Sequence, residues 1–111
     1  MDLLKKDRDK LCQTMAGCLP MLRVRLGLSQ EDLARRVDMT RQTISAFESN
    51  QRIMPWNVFL AFLMLFTGHP ATKRLLRAMD VYTPELDDFL TMGDDSEIHE
   101  QEVGGQPNEN S

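Results

Sequence analysis

Two short capped segments, separated by a three-residue turn, constrain the fold of this 111-residue sequence more than any other feature. Ser29 precedes the first segment, and Asp32 lies three residues after Ser29. This spacing is the capping-box pattern at the start of a helix. Thr40 occupies the N-cap position of the second segment, which runs from residue 41 to about 49. Residues 38–40 form the turn between them. The arrangement predicts a helix-turn-helix, with the first helix over about 30–37.

The rest of the sequence also has helical periodicity. Apolar residues recur at spacings of three and four over 9–26, and Pro20 inside this stretch predicts either a kink or the start of a fresh helix. Further helices are predicted over 56–67, over 71–79 and from Pro84 onward. No segment of useful length alternates apolar and polar residues as a half-buried strand does. The sequence therefore predicts an all-α fold.

The order of the segments predicts one domain with extensions at both ends. Residues 1–18 are expected to form an N-terminal helical extension, 19–79 the helix-turn-helix domain, and 80–92 a C-terminal helix. From residue 93 to 111 the sequence is polar and acidic, with several glycines and asparagines. Such a segment cannot bury enough apolar surface to offset the entropy lost on ordering, so an acidic disordered tail is expected.

Charge is distributed unevenly along the chain. The net charge of −4 by itself argues against a nucleic-acid-binding protein. Residues 19–77, however, contain nine basic and four acidic side chains, whereas residues 78–111 contain ten acidic side chains and neither lysine nor arginine. A basic middle joined to an acidic C-terminal third is typical of a polyanion-binding module with an acidic tail. An ordinary solvated surface explains the same charges, so this observation leaves both interpretations open.

Other classes of protein need residues that this sequence lacks. Two isolated histidines and two cysteines do not supply a four-ligand zinc site. No catalytic constellation built around a nucleophile, a metal or a cofactor is visible, and no phosphate-binding glycine loop is present. We therefore expect no enzyme, no metal and no cofactor. Cys12 and Cys18 are expected to be reduced and buried. No secretory signal is evident, and the longest apolar run, 58–66, is too short to span a bilayer, which predicts a soluble, cytoplasmic protein without a membrane partner.

Residues 28–52 read LSQEDLARRVDMTRQTISAFESNQR and resemble the lambda-repressor-like family of helix-turn-helix regulators, also called the XRE family. Residues 28–34 look like the start of the family's second helix, and residues 40–45 look like the start of its recognition helix. Asp38 stands where the family often has glycine, and aspartate tolerates the left-handed backbone of such a turn. The resemblance covers residues 19 to about 77. It implies a five-helix DNA-binding domain, to which this chain adds a C-terminal helix and the acidic tail.

The resemblance implies a bacterial or phage regulator that binds double-stranded DNA in a sequence-specific manner and acts as a repressor and homodimer. Because Ile44 and Phe47 face inward at helical spacing, four residues share the outer face of the recognition helix and are predicted to read bases: Arg41, Gln42, Ser45 and Ala46. Phosphate contacts are predicted at the start of the second helix and around the third, from Ser29, Gln30, Thr40, Thr43 and Arg52.

Glu48 is predicted to have a structural role. It follows Ile44 by four residues and so lies close to the buried face, where a charge needs a partner. The resemblance assigns that partner, because Arg23 sits at the arginine with which the family pairs this glutamate.

The apolar run over 58–66 leaves two possibilities open. A helix that is apolar on nearly every face is buried all round. Either the other helices of the monomer cover it, or part of it forms a dimer interface, with Met64 and Phe66 as candidate interface residues. The same apolar helices, over 56–79, support an alternative function as a protein-interaction module, such as an antitoxin or adaptor, that binds a protein partner.

Overall fold

The computed structural model describes residues 3–93, which contain six helices and no strand. The helices are α1 (Lys5–Arg25), α2 (Gln30–Arg36), α3 (Arg41–Glu48), α4 (Trp56–Thr67), α5 (Pro70–Ala78) and α6 (Pro84–Thr91). The prediction of an all-α fold is confirmed, and the bounds of α2 to α5 agree with the predicted ones to within one residue. The described residues divide into a unit that contains α1 to α5 and a unit that contains α6. The predicted disordered tail lies, except for Gly93, outside the described residues.

α1 is longer than predicted and continues through Pro20. The proline removes one backbone hydrogen bond, but Leu19 and Leu22 on either side of it are fully buried, and their burial offsets that loss. The alternative of a fresh helix that starts at the proline is therefore wrong. α1 also crosses the boundary expected between residues 18 and 19, so the proposed N-terminal extension and the start of the helix-turn-helix domain share one helix.

α4 forms the centre of the core in the first unit. Phe59, Phe62 and Phe66 are fully buried, and α4 packs against α1 and α5. Phe47 of α3 meets the ring of Phe62 edge-on, with 6.5 Å between ring centroids. The monomer therefore buries the phenylalanine side of this apolar helix. The expectation that Phe66 contributes to an interface is wrong because it lies inside the core, whereas the side chain of Met64 is 81% exposed.

The ends of α2 and α3 have the predicted caps. The Ser29 hydroxyl oxygen accepts a hydrogen bond from the Asp32 N–H at 3.0 Å, and the Asp32 carboxylate accepts one from the Ser29 N–H at 3.1 Å. The hydrogen bond from the Ser29 N–H is the main reason that the pKa of Asp32 is lowered. At the start of α3, the Thr40 hydroxyl oxygen accepts from the Thr43 N–H at 3.2 Å. Asp38, at φ 57°, adopts the left-handed conformation in the turn.

Gly27 and Gly17 offer a test of the backbone because a methyl group added at either position meets no atom within 4 Å. Gly27 follows α1 with φ 72°, where an L side chain is strained, and we expect Gly27→Ala to destabilise the domain by about 1–2 kcal/mol. Gly17 lies within α1, where alanine favours the helix, and Gly17→Ala should stabilise by about 0.5–1 kcal/mol. Urea unfolding measures both changes. Shifts of the same sign would contradict this description of the end of α1.

Residues 84–93 are the described part of the second unit. α6 begins at Pro84 and carries acidic residues in its first turn, which suit the positive end of the helix dipole. Met92, at φ 54°, turns the chain out of the helix, and the Gly93 N–H donates a hydrogen bond to the Asp88 carbonyl at 3.0 Å. The predicted sixth helix is confirmed.

Candidate nucleic-acid interface

α3 has a buried side and an open side. Ile44 and Phe47 anchor the buried side, and the helix packs against α1 and α2. The four predicted base-reading residues lie elsewhere on α3. Two of them, at the first turn, are exposed, and the other two, in the following turn, are half-buried: Arg41 and Gln42, then Ser45 and Ala46. The polar start of the helix is therefore the part that a large ligand can approach most closely.

Three of the predicted phosphate-binding residues lie together at the flank of α3. The hydroxyl oxygens of Thr40 and Thr43 are 2.9 Å apart, and the Arg52 guanidinium donates from Nη1 to Thr43 Oγ1 at 3.4 Å. Arg52 follows α3 in the sequence and is exposed. The arrangement joins two hydroxyls and a cation within one hydrogen-bonded cluster, which is a suitable set of donors for a phosphate oxygen.

The other two predicted phosphate-binding residues lie at the start of α2. Ser29 is exposed, but its hydroxyl oxygen already accepts the capping hydrogen bond described above. Its hydroxyl proton can still be donated to a phosphate. Gln30 is half-buried, and both ends of its amide have partners inside the protein.

Gln30 connects two of the other predicted residues. Its Nε2 donates to Glu48 Oε1 at 2.9 Å, and its Oε1 accepts from Arg41 Nη1 at 3.5 Å. A carboxylate only accepts hydrogen bonds, so the contact with Glu48 fixes which way the amide points. The sequence predicted only a phosphate contact for Gln30. The available signal was that a carboxylate near the buried face needs more than one donor.

Arg23 and Glu48 form a two-pronged ion pair. Arg23 Nε donates to Glu48 Oε2 at 2.8 Å, and Arg23 Nη2 donates to Glu48 Oε1 at 3.1 Å. The side chains are only 19% and 8% exposed, respectively. The hydrogen bond to Glu48 raises the pKa of Arg23 above its usual value, so the arginine stays charged. Arg23 Nη1 also donates to the Leu28 carbonyl at 3.4 Å, which connects α1 to the loop before α2.

The basic residues of α2, of α3 and of the segment after α3 differ in whether acidic side chains compensate their charge. Arg35 Nη2 lies 2.6 Å from Asp32 Oδ1, and its Nη1 lies 4.0 Å from the carboxylate of Glu31. These two acids compensate the charge of Arg35. Arg41 and Arg52, which are exposed and form no salt bridge among the described residues, provide the positive charge around α3.

The described part of the chain contains no group of three side chains arranged to hold a metal ion, and none of its helices combines the length and apolarity needed to cross a membrane. Cys12 and Cys18 are free and buried, as predicted. Burial, followed by the nearby Asp9 carboxylate, raises the pKa of Cys12 to about 11. At neutral pH this residue is therefore a thiol and a poor nucleophile.

A comparison with known protein families finds a match that covers the helices of this interface. The family model described as Helix-turn-helix matches residues 21–55, which extend from the end of α1 through α2 and α3 to the residue before α4. No curated protein and no solved structure matches the sequence significantly.

Proposed function

We propose that residues 21–55, which the Helix-turn-helix family model matches, are a DNA-binding domain of the lambda-repressor-like (XRE) kind, and that the protein represses transcription by inserting α3 into the major groove. The observation that carries the proposal is the exposed, polar first turn of α3, with a cluster of phosphate donors beside it. An enzymatic role has no support from the residues around this surface.

Sequence preference would come from the outer face of α3. An arginine forms two hydrogen bonds with the edge of guanine, and a glutamine does the same with adenine, so Arg41 and Gln42 are the principal base-reading residues of the proposal. The hydroxyl of Ser45 can accept a hydrogen bond from either base or donate one to it. Ala46 offers a methyl group that can contact the methyl of thymine.

Phosphate contacts would fix the position of α3 on the duplex. The cluster of Thr40, Thr43 and Arg52 would hold one strand, and the start of α2 would hold the other side of the groove through Ser29 and the adjacent backbone N–H groups. Gln30 would contribute by fixing Arg41 as well as by lying near the phosphates. Binding as a homodimer would place two copies of α3 on half-sites about one helical turn apart.

The salt dependence of DNA binding tests this proposal. We expect the protein to bind fluorescein-labelled duplexes of mixed sequence at low salt and to lose affinity steeply as salt is added, because bound phosphates release counterions. Arg52→Ala should reduce the slope of log K against log salt by about 1. Arg35→Ala is the matched control, because Asp32 and Glu31 already compensate Arg35, and its slope should equal that of the unmodified protein.

A second candidate function is a protein-interaction module, such as an antitoxin or adaptor, in which the apolar helices bind a partner and DNA binding is secondary or lost. The exposed side chain of Met64 on the largely apolar helix α4 is the observation that favours it, because an apolar group in contact with water is available to a protein partner. The salt titration separates the two candidates. No binding of duplexes even at low salt would overturn the DNA-binding proposal and favour this one.

A further inference from the structure

A groove lies between three parts of the first unit: the loop before α2, the C-terminal end of α2 and the end of α4. It has a volume of about 290 Å³ and is lined by Leu26, Leu28, Leu65, Arg36 and His69. Three leucines form its apolar lining, and the two nitrogen-bearing side chains come from α2 and from the residue before α5. The volume is sufficient for a large apolar side chain, and the lining offers it an apolar environment.

A basic stripe on α5 continues from this groove. Lys73 and Arg77 follow His69 at intervals of four residues, which places the three on one side of the helix. Lys73 Nζ lies 5.7 Å from the centroid of the Tyr82 ring, and Arg77 Cζ lies 5.3 Å from it, so one aromatic ring holds both cations. Within residues 3–93 neither cation, nor Arg36, forms a salt bridge. These charges are available to an anionic partner.

We propose that the groove and the basic stripe together bind an acidic peptide segment of a partner protein. One leucine- or phenylalanine-sized side chain would occupy the groove, and carboxylates beside it would pair with Arg36, Lys73 and Arg77. The positive charge of the surface favours an acidic ligand. The leucine lining favours a peptide over a nucleic acid, because an apolar groove does not stabilise phosphates.

This peptide surface uses different side chains from the nucleic-acid interface. α5 packs against α1 and α4, whereas α3 packs against α1 and α2. The two surfaces approach each other at the start of α2, where Leu28 of the groove precedes Ser29, and Arg36 lines the groove from the end of the helix. The inference does not depend on DNA binding, because the cations that it uses, Arg36, Lys73 and Arg77, are not among the residues proposed to contact DNA.

The test uses the full chain, labelled with ¹⁵N, and a fluorescein-labelled 12-residue peptide with one leucine among glutamates and serines. We expect saturable binding by fluorescence anisotropy, with amide shifts at Leu26, Leu28, His69 and along α5. Replacing the peptide's leucine with glycine should weaken binding at least about fivefold, because the apolar contact is lost. Equal binding of the two peptides would overturn the proposal, as would shifts confined to α3.

A charge reversal on α5 is the second part of the test. Lys73→Glu should weaken peptide binding about five- to tenfold, since an attraction becomes a repulsion. Lys10→Glu makes the same change at an exposed position of α1 and should leave peptide binding unchanged. Circular dichroism shows whether each variant is folded, and Lys73→Gln replaces Lys73→Glu if the latter is not.

Two results would identify a different occupant and overturn the peptide proposal. The first is that Lys73→Glu weakens binding of a mixed-sequence duplex as much as it weakens binding of the peptide, which would assign the stripe to nucleic acid. The second is that the unmodified protein self-associates in sedimentation experiments and Lys73→Glu abolishes the association, which would assign the surface to a second copy of this chain.

Discussion

Glu48→Ala should unfold the domain before it changes DNA sequence preference, with a loss of about 3–5 kcal/mol of stability. The substitution leaves the guanidinium of Arg23, whose side chain is only 19% exposed, without a carboxylate. It also removes the acceptor from the amide of Gln30. A loss of this size lowers the melting temperature of a domain of about 80 residues by more than about 12 °C.

A thermal melt followed by circular dichroism measures this effect. Glu31→Ala is the matched control, because Glu31 is 72% exposed and its only salt bridge, to Arg35, is 4.0 Å long within the described residues. The control should melt within about 3 °C of the unmodified protein, since exposed pairs of this kind contribute little. A Glu48→Ala melt that coincides with that of the unmodified protein would show that the buried pair does not support the fold.

Arg41→Ala should weaken binding to the preferred DNA site by about 1–3 kcal/mol, which is roughly 5- to 150-fold, and should relax the preference at one base position. Because the side chain is exposed, its removal leaves the core intact, and the melting temperature should stay within about 3 °C of the original. The expected change is therefore in recognition alone.

Selection of bound sequences from a random DNA pool measures this prediction, with the unmodified protein and the variant processed in parallel. Arg52→Ala is the comparison variant. It should lower affinity about equally for all sequences and leave the selected motif unchanged, because a phosphate contact carries no base information. If Arg41→Ala selects the same motif as the unmodified protein, α3 does not read DNA as proposed.

The helix-turn-helix could be predicted from sequence because its signals are local. Ser29 and Thr40 start their helices through hydrogen bonds to residues three positions later, and such contacts depend only on spacing. The left-handed backbone at Asp38 follows from the resemblance, because the family often has glycine at this position and aspartate tolerates the same conformation. These features required no knowledge of the tertiary structure.

The features that sequence reasoning missed depend on tertiary packing. α4 is apolar on nearly every side, so periodicity could not tell that Phe66 points into the core while Met64 points into water. Pro20 normally interrupts a helix, and only the burial of its neighbours explains why α1 continues. Gln30 meets Glu48 from 18 residues away, a contact that no local pattern indicates.

The contact between Gln30 and Arg41 has a consequence for how this protein can evolve. The amide that holds Arg41 is itself held by Glu48, on which folding depends. Mutations of Gln30 that alter how Arg41 is held therefore disturb the same carboxylate that keeps the domain intact. Substitutions that change the preferred DNA sequence should therefore be tolerated better at Gln42 and Ala46, whose side chains have no hydrogen bond to that carboxylate.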